Sequence, residues 1–149
     1  GPVELAKGAS IAPEGAPPGF KVLGVECDVL FVGSKMGAVD HKGAEFVRAK
    51  AVVPFAPIPV TAKALAVLRR AGTVVYPDFV VLCGPLLAAW GVAGRAAPEL
   101  VDETASTVRG ILDEVAAHAD GPLLAACYRA ETFLRSWRDA LPFGRPLAA

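Results

Sequence analysis

The sequence lacks an excess of charge of either sign and contains few basic clusters. Its 149 residues include 15 basic and 15 acidic side chains, and no basic cluster exceeds the pair Arg69-Arg70. Domains that bind nucleic acid carry a basic patch or stripe, so the sequence does not indicate that class of function. We interpret the arginine pair as a solvated helix end, where cations are favourable.

Cysteine and histidine are also scarce. Cys27, Cys83 and Cys127 lie far apart and have no Cys-x-x-Cys spacing. An odd number in this arrangement argues against a disulfide framework and against a structural zinc site. We therefore expect reduced thiols and a cytoplasmic location. His41 and His118 have no partner at ligand spacing, so no metal site is expected.

Long hydrophobic runs are absent too. No stretch of about 18 apolar residues is free of charges and helix breakers, so no membrane span is indicated. No signal peptide is visible. The chain begins Gly1-Pro2-Val3 rather than with Met, as expected of a processed or shortened piece or of a tag remnant. Because 54% of the residues are hydrophobic, we expect residues 1–149 to form one domain with its own core.

The main feature that is present is an alternation of short apolar runs with helix-like segments across residues 20–90. This pattern is typical of consecutive βα units on a parallel sheet. Residues 1–19, rich in Gly, Pro and Ala, are expected to form a loop or arm. The expected strands are 27–32, 51–55 and 73–76, with a further apolar run at 79–82, which gives a sheet of three to four strands.

Helix signals separate and follow these runs. Asp40 can cap a short helix through residue 50, and Thr61 can cap a helix over 62–71 that stops at Gly72. Pro85 fits the first turn of a helix running toward Trp90. Residues 99–141 predict two packing helices, separated by Asp120-Gly121-Pro122, whose apolar stripes should face a core. The stripes are Val101, Ala105, Val108, Leu112, Val115 and Ala119, then Leu123, Cys127, Ala130, Leu134, Trp137 and Leu141.

The edge of this sheet is expected to need a cover. A bare apolar edge is an aggregation hazard. Either residues 1–26 fold back over the first strand, with 20–23 as a short added strand, or another polypeptide pairs with it. We therefore predict a homo-oligomer or a partner subunit at the sheet edge.

The order of these segments resembles the Glu/Leu/Phe/Val dehydrogenase family, whose members oxidatively deaminate amino acids with a nicotinamide cofactor. The similarity is to the second half of the family's cofactor domain and covers roughly residues 20–90, with the two final helices matching loosely. Four segments carry it, in order and spacing. Cys27-Asp28-Val29-Leu30 resembles the family's strand ahead of its Pro-Ala-Ala turn, and Ala49-Lys50-Ala51-Val52-Val53 resembles its Ala-Lys-x-Val-Val strand. Pro59-Val60-Thr61 with Ala64 resembles its Pro-x-Thr-x-x-Ala motif. Tyr76-Pro77-Asp78-Phe79-Val80 resembles the Pro-Asp segment that precedes its Asn-Ala-Gly-Gly motif.

The resemblance implies a partial Rossmann-like α/β domain and a binding site for NAD or NADP at the ends of the strands. It implies Gly33, Ser34, Ala56 and Gly84 as cofactor-binding residues and no catalytic residue. Gly33 and Ser34 stand where the family has its small Pro-Ala-Ala turn, so a ring or a ribose could still approach there.

Several departures weaken the implied chemistry. The family's Gly-x-Gly-x-x-Gly loop and its catalytic lysines and aspartate have no counterpart here. Where the family has Ala-Asn, this chain has Ala56-Pro57. Where the family has Asn-Ala-Gly-Gly, this chain has Leu82-Cys83-Gly84-Pro85. Proline and leucine cannot supply the amide hydrogen bonds of the asparagines they replace. The remaining lysines are interpreted as solvated surface residues: Lys35, Lys42, Lys50 and Lys63.

Two further residues have alternative interpretations. Cys83, at the start of an expected helix, is either a nucleophile stabilised there as a thiolate or, as we favour, an inert buried thiol. Asp78 is either an acid–base group or, as we favour, part of a structural turn.

Two hypotheses of function follow. The chain is the cofactor-binding domain of an NAD(P)-dependent amino-acid dehydrogenase-like protein, not catalytic alone. The alternative is a non-catalytic regulatory or binding subunit that kept the scaffold but lost the cofactor-site asparagines.

Overall fold

The computed structural model describes residues 21–33, 35–90 and 96–140. Three short strands form one parallel sheet in the order β1-β2-β3, which confirms the α/β class. The strands are β1 Val29–Val32, β2 Ala51–Pro54 and β3 Val74–Val75. In register, Val29 pairs with Ala51, which pairs in turn with Val74. The strands therefore share one carboxyl edge, which is the edge where open parallel sheets bind ligands.

Six helices accompany the sheet in the described residues. They are α1 His41–Ala44, α2 Ala62–Arg70, α3 Asp78–Val81, α4 Gly84–Ala89, α5 Ala97–Ala116 and α6 Pro122–Arg135. A single 3-10 turn, Lys21–Gly24, precedes β1. One of the two alternatives for covering the sheet edge makes residues 20–23 a short added strand. The described part of this segment, from residue 21, instead forms this turn, so it adds no strand to the sheet.

The predicted caps of α1 and α2 are confirmed. Asp40 accepts a hydrogen bond from the Gly43 amide at 2.8 Å, and Thr61 Oγ1 accepts one from the Ala64 amide at 3.2 Å. Gly72 follows α2 with φ of +78°, a conformation that glycine adopts without steric strain. These local signals therefore place both helix starts and the end of α2.

The helix capped by Asp40 is shorter than the sequence predicts. It ends at Ala44 rather than residue 50, because residues 45–50 form a turn and an irregular segment that leads into β2. The Lys50 amide donates to the Cys27 carbonyl, and the Ala49 carbonyl accepts from the Thr73 hydroxyl at 3.1 Å. The apolar run at 79–82 is also not a strand, since α3 begins at Asp78, so the described sheet has three strands.

The core is divided into two clusters. The larger lies where α1 and α2 pack on the sheet, and its fully buried members include Val39, Val52, Ala64 and Leu68. The smaller joins α3 to α5 and α6 through Val80, Val115, Ala125 and Ala126. Contacts of α3 with β2 and of α6 with β3 link the two parts.

The predicted stripes of α5 and α6 face a core only in part. Val115 is buried, but Val101, Ala105, Ala119, Ala130 and Trp137 are exposed, and Leu141 lies outside the described residues. The residues that α6 buries are Pro122, Ala125 and Ala126, which the predicted stripe does not contain. Helical periodicity identifies an apolar face, but it does not show that another element covers that face. None of the described helices is both long enough and apolar enough to cross a membrane.

Candidate functional site at the carboxyl edge of the sheet

The loops that follow the three strands are tied together at one residue, Ile58. Its carbonyl accepts a hydrogen bond from the Gly37 amide, in the loop after β1, at 2.9 Å. Its own amide donates to Oδ2 of Asp78, which follows β3, at 2.7 Å. Ile58 itself belongs to the loop after β2. A single backbone position therefore fixes all three loops relative to one another.

Ile58 adopts a strained conformation. Its φ is +48°, and it is the one non-glycine residue with positive φ in the described part of the chain. This region is unfavourable for a β-branched residue, and such strain persists only where the surroundings hold it in place. Here Asp78 holds it, because its carboxylate accepts from the amides of both Ile58 and Phe79. The favoured interpretation of Asp78, a structural turn, fits these bonds.

We expect Ile58→Gly to be nearly neutral or stabilising by up to about 1 kcal/mol. A left-handed conformation costs an L-residue roughly 1–2 kcal/mol, and glycine removes that strain while adding some backbone entropy to the unfolded chain. In contrast, Ile111→Gly in the middle of α5, where Ile111 packs against the smaller core cluster, should destabilise by about 2 kcal/mol or more. Urea denaturation of both variants measures the difference. Equal destabilisation would show that Ile58 carries no strain.

Of the four predicted cofactor residues, two lie at this edge. Gly33 follows β1 directly, and Ala56 lies two residues after β2. Gly84 lies at the start of α4, where a Cβ atom would be 3.7 Å from Cγ2 of Thr104 on α5. Ser34 lies outside the described residues. The assignment of these residues to a cofactor stays a prediction.

An aromatic ring lies beside Gly33. A Cβ atom on Gly33 would come within 2.9 Å of Cε1 of Phe55, so the ring packs directly against the glycine. The Phe55 side chain is nevertheless 61% exposed. Sequence reasoning missed Phe55 because it counted this residue as part of β2. The available signal was Pro54, which ends the strand one residue earlier.

A groove of about 510 Å³ runs beside β1 toward this edge. Its lining includes Val22, Phe31, Gly33, Lys35 and Phe55. Planar rings fit such a surface, since it offers an aromatic face beside a residue without a side chain. Among the described residues, no Gly-x-Gly-x-x-Gly loop is present to hold a pyrophosphate at a helix N-terminus.

The candidate reactive groups lie in unreactive settings. Cys83 is half-buried, and its Sγ donates to the Val80 carbonyl at 2.9 Å. Lys35, Lys42 and Lys63 are exposed, as is Lys50, which forms an ion pair with Asp28 at 2.6 Å. Burial, followed by the carboxylate of Glu131, raises the pKa of the Cys127 thiol. No group of three or more His, Cys, Asp or Glu side chains within the described residues is arranged to hold a metal ion.

The parallel sheet, its flanking helices and this carboxyl edge define a Rossmann-like α/β fold. Solved structures of amino-acid dehydrogenases share it. One is L-tryptophan dehydrogenase from Nostoc punctiforme, with a TM-score of 0.62, 18% identity, and coverage of 78% of this chain and 37% of that chain. Another is the Leu-bound form of hetero-hexameric glutamate dehydrogenase from Thermus thermophilus, with a TM-score of 0.61, 26% identity, and coverage of 87% and 36%.

These likenesses establish an amino-acid-dehydrogenase-like fold for the chain. The chain spans little more than a third of the length of either structure. Searches against protein-family models and against curated proteins found no significant match.

Proposed function

We propose that the chain is a cofactor-binding module of the amino-acid dehydrogenase type that binds NAD(H) or NADP(H) at the carboxyl edge of its sheet and does not catalyse alone. The observation that carries the proposal is the exposed Phe55 ring beside Gly33, at the carboxyl end of two paired parallel strands. In a complete enzyme of this type, a hydride passes between the α-carbon of an amino acid and the nicotinamide.

Each part of the proposed site has a separate role. Phe55 supplies an exposed face on which a planar ring stacks, and Gly33 leaves room for the Phe55 ring itself. Ala56, which is half-buried and follows Phe55 in the chain, keeps the side chain at this position small. The Asp78–Ile58 bond holds the loops in position. Catalysis is not assigned to any residue, because the four lysines whose side chains the structure describes, Lys35, Lys42, Lys50 and Lys63, are exposed surface groups. Three half-buried cysteines without a disulfide support a cytoplasmic location.

Titration calorimetry of the full chain with NAD(H) and NADP(H) tests the proposal. We expect measurable binding at submillimolar to millimolar cofactor. Phe55→Ala should weaken it about tenfold or more, since stacking of a base on an aromatic ring contributes about 1–3 kcal/mol. Ala56→Trp should also weaken it, because a large side chain next to Phe55 crowds the face on which the cofactor ring stacks. Ala66→Trp, on the exposed side of α2, is the matched control and should leave binding unchanged.

The contact between Phe55 and Gly33 also favours a second function. The Phe55 ring packs so closely on Gly33 that it fills the space over this glycine, which the family resemblance assigns to a cofactor ring. Pro57, Leu82 and Pro85 also stand where the resembled family has asparagines and a glycine. On this alternative, the chain is a non-catalytic regulatory or binding subunit that keeps the scaffold for another ligand or a protein contact.

The titration separates the two functions. Absence of binding at millimolar cofactor, or binding that Phe55→Ala strengthens, would contradict the cofactor module and support the altered subunit. The Phe55 ring would then block the site instead of providing a surface on which the cofactor stacks.

A further inference from the structure

The turn between α5 and α6 is built around His118. The His118 carbonyl accepts a hydrogen bond from the Gly121 amide at 2.9 Å, and Nδ1 of its ring accepts one from the Asp120 amide at 3.1 Å. An amide can donate to this nitrogen only while Nδ1 carries no proton. The ring therefore holds the turn in its neutral form, with its proton on Nε2.

The Asp120 carboxylate has two alternative partners at this turn. Its Oδ2 accepts a hydrogen bond from the Tyr128 hydroxyl on α6 at 3.3 Å, and the same oxygen lies 3.9 Å from His118 Nδ1. The Tyr128 and His118 rings meet edge to face, with 5.6 Å between their centroids. A charge-assisted bond from a nitrogen to a carboxylate is about 2.7–2.9 Å long, so a shift of about 1 Å brings Asp120 onto the histidine.

Other charges lie on the helices around this turn. Glu114 on α5 pairs with Arg129 on α6 at 2.9 Å, which links the two helices. Arg69 on α2 acts on Tyr128: desolvation and the Asp120 carboxylate raise the pKa of the tyrosine hydroxyl, and the Arg69 charge opposes the rise. Among the described carboxylates, that of Asp120 is the one within ion-pair reach of the histidine ring. A charge gained by this ring therefore acts first on Asp120.

We propose that protonation of His118 switches the hydrogen bonds of this turn, so that the Asp120 amide loses its acceptor and the Asp120 carboxylate leaves the Tyr128 hydroxyl to pair with the imidazolium. The proton comes from solvent and binds Nδ1. Solvent reaches the group, since the side chains of His118 and Asp120 are 42% and 46% exposed. A histidine ordinarily gains this proton between about pH 8 and pH 5. The turn thus has one set of bonds at alkaline pH and another at acidic pH.

The switch acts on one wall of a cavity between α2, β3 and α6. The cavity has a volume of about 350 Å³, and the turn contributes residues 119–122 to its lining. Arg69 and Thr73 belong to the same lining. Because Asp120 both lines the cavity and changes its partner, the position of its carboxylate at this cavity depends on pH.

Amide hydrogen exchange of the full chain, followed by NMR at alkaline and acidic pH, tests the switch. After correction for the intrinsic pH dependence of exchange, we expect the Asp120 amide to lose protection by about fivefold as the His118 ring becomes charged, which is the effect of losing one hydrogen bond. His118→Gln should abolish this change, because a glutamine amide does not titrate. The matched control is His41→Gln at the exposed start of α1, which should keep it.

Tyr128→Phe tests the competition for the carboxylate. It keeps the ring beside His118 but removes the hydroxyl, so Asp120 pairs more readily with the charged ring and the midpoint of the His118 transition should move to higher pH. Asp120→Asn should move the midpoint to lower pH, because the charged ring loses an opposite charge. Protection of the Asp120 amide that is independent of pH, or a change that persists in His118→Gln, overturns the proposal. A midpoint that Tyr128→Phe leaves in place also overturns it.

Discussion

Replacing Leu68 with alanine is expected to lower the free energy of unfolding by about 3 kcal/mol, because large-to-small substitutions at fully buried leucines cost about 2–5 kcal/mol. Leu68 is 0% exposed and lies on α2, in the cluster that also contains Val52 of the central strand. The lost side chain leaves a cavity between the helix and the sheet. The backbone at both sides is held by hydrogen bonds, so the site has little freedom to collapse into that cavity.

Urea denaturation followed by circular dichroism measures this effect. The matched control is Leu86→Ala on α4, whose side chain is 61% exposed and should change stability by less than about 1 kcal/mol. Equal losses at the two positions would mean that α2 does not pack on the sheet as described. If the free energy of unfolding of Leu68→Ala depends on urea concentration with the same slope as that of the native chain, the variant keeps the native compactness.

The parts of the fold that were predictable from sequence depend on local chemistry. The cap residues Asp40 and Thr61 each accept a hydrogen bond from the amide three residues later, so the local sequence contains everything needed to predict these helix starts. Gly72 is also local, since its positive φ needs no distant partner. The three parallel strands were predictable because they are short runs of apolar, mostly β-branched residues bounded by loops and helices.

The errors arose where tertiary contacts decide between local alternatives. Residues 45–50 can extend a helix, but distant partners hold the end of this segment: the Arg48 amide donates to the Leu23 carbonyl, and the carbonyl of buried Ala49 accepts from the Thr73 hydroxyl. Residues 79–82 form an apolar run of four, which periodicity cannot assign to strand or helix. The fully buried Pro77 before them precedes the first turn of α3. Stripes on α5 and α6 were assumed to be covered because they were apolar.

The sequence predicts where the candidate site lies, but not the contacts that hold it together. Strand ends bring Gly33 and Ala56 to one edge, and the sequence pattern implies this. The connection through Ile58 was not predicted, because no residue type signals a strained isoleucine. The one sequence feature that marks it is its place between Pro57 and Pro59, which restricts the backbone on both sides. Its partner Asp78 lies 20 residues away, beyond the reach of local motifs.

That long-range partner makes Asp78→Ala the second substitution with a large expected effect. A hydrogen bond to a charged group contributes about 1.5–3 kcal/mol, and less where water reaches it; both bonds here are exposed, so losing the two should lower the free energy of unfolding by about 2 kcal/mol in total. The matched control is Asp28→Ala. Its ion pair with Lys50 is about 80% exposed on both sides, and an exposed pair contributes less than about 1 kcal/mol.

The effect of Asp78→Ala should depend on the conformation of Ile58. If the carboxylate holds a strained residue in place, then the same substitution in an Ile58→Gly background should cost less, because the glycine adopts the conformation without being held. A double-mutant cycle from urea denaturation gives this difference directly. Hydrogen exchange should show faster exchange at the Ile58 and Phe79 amides in Asp78→Ala, with α2 unchanged. Strict additivity in the cycle, together with uniform loss of protection, would mean that Asp78 stabilises the fold generally and does not fix the loops of the candidate site.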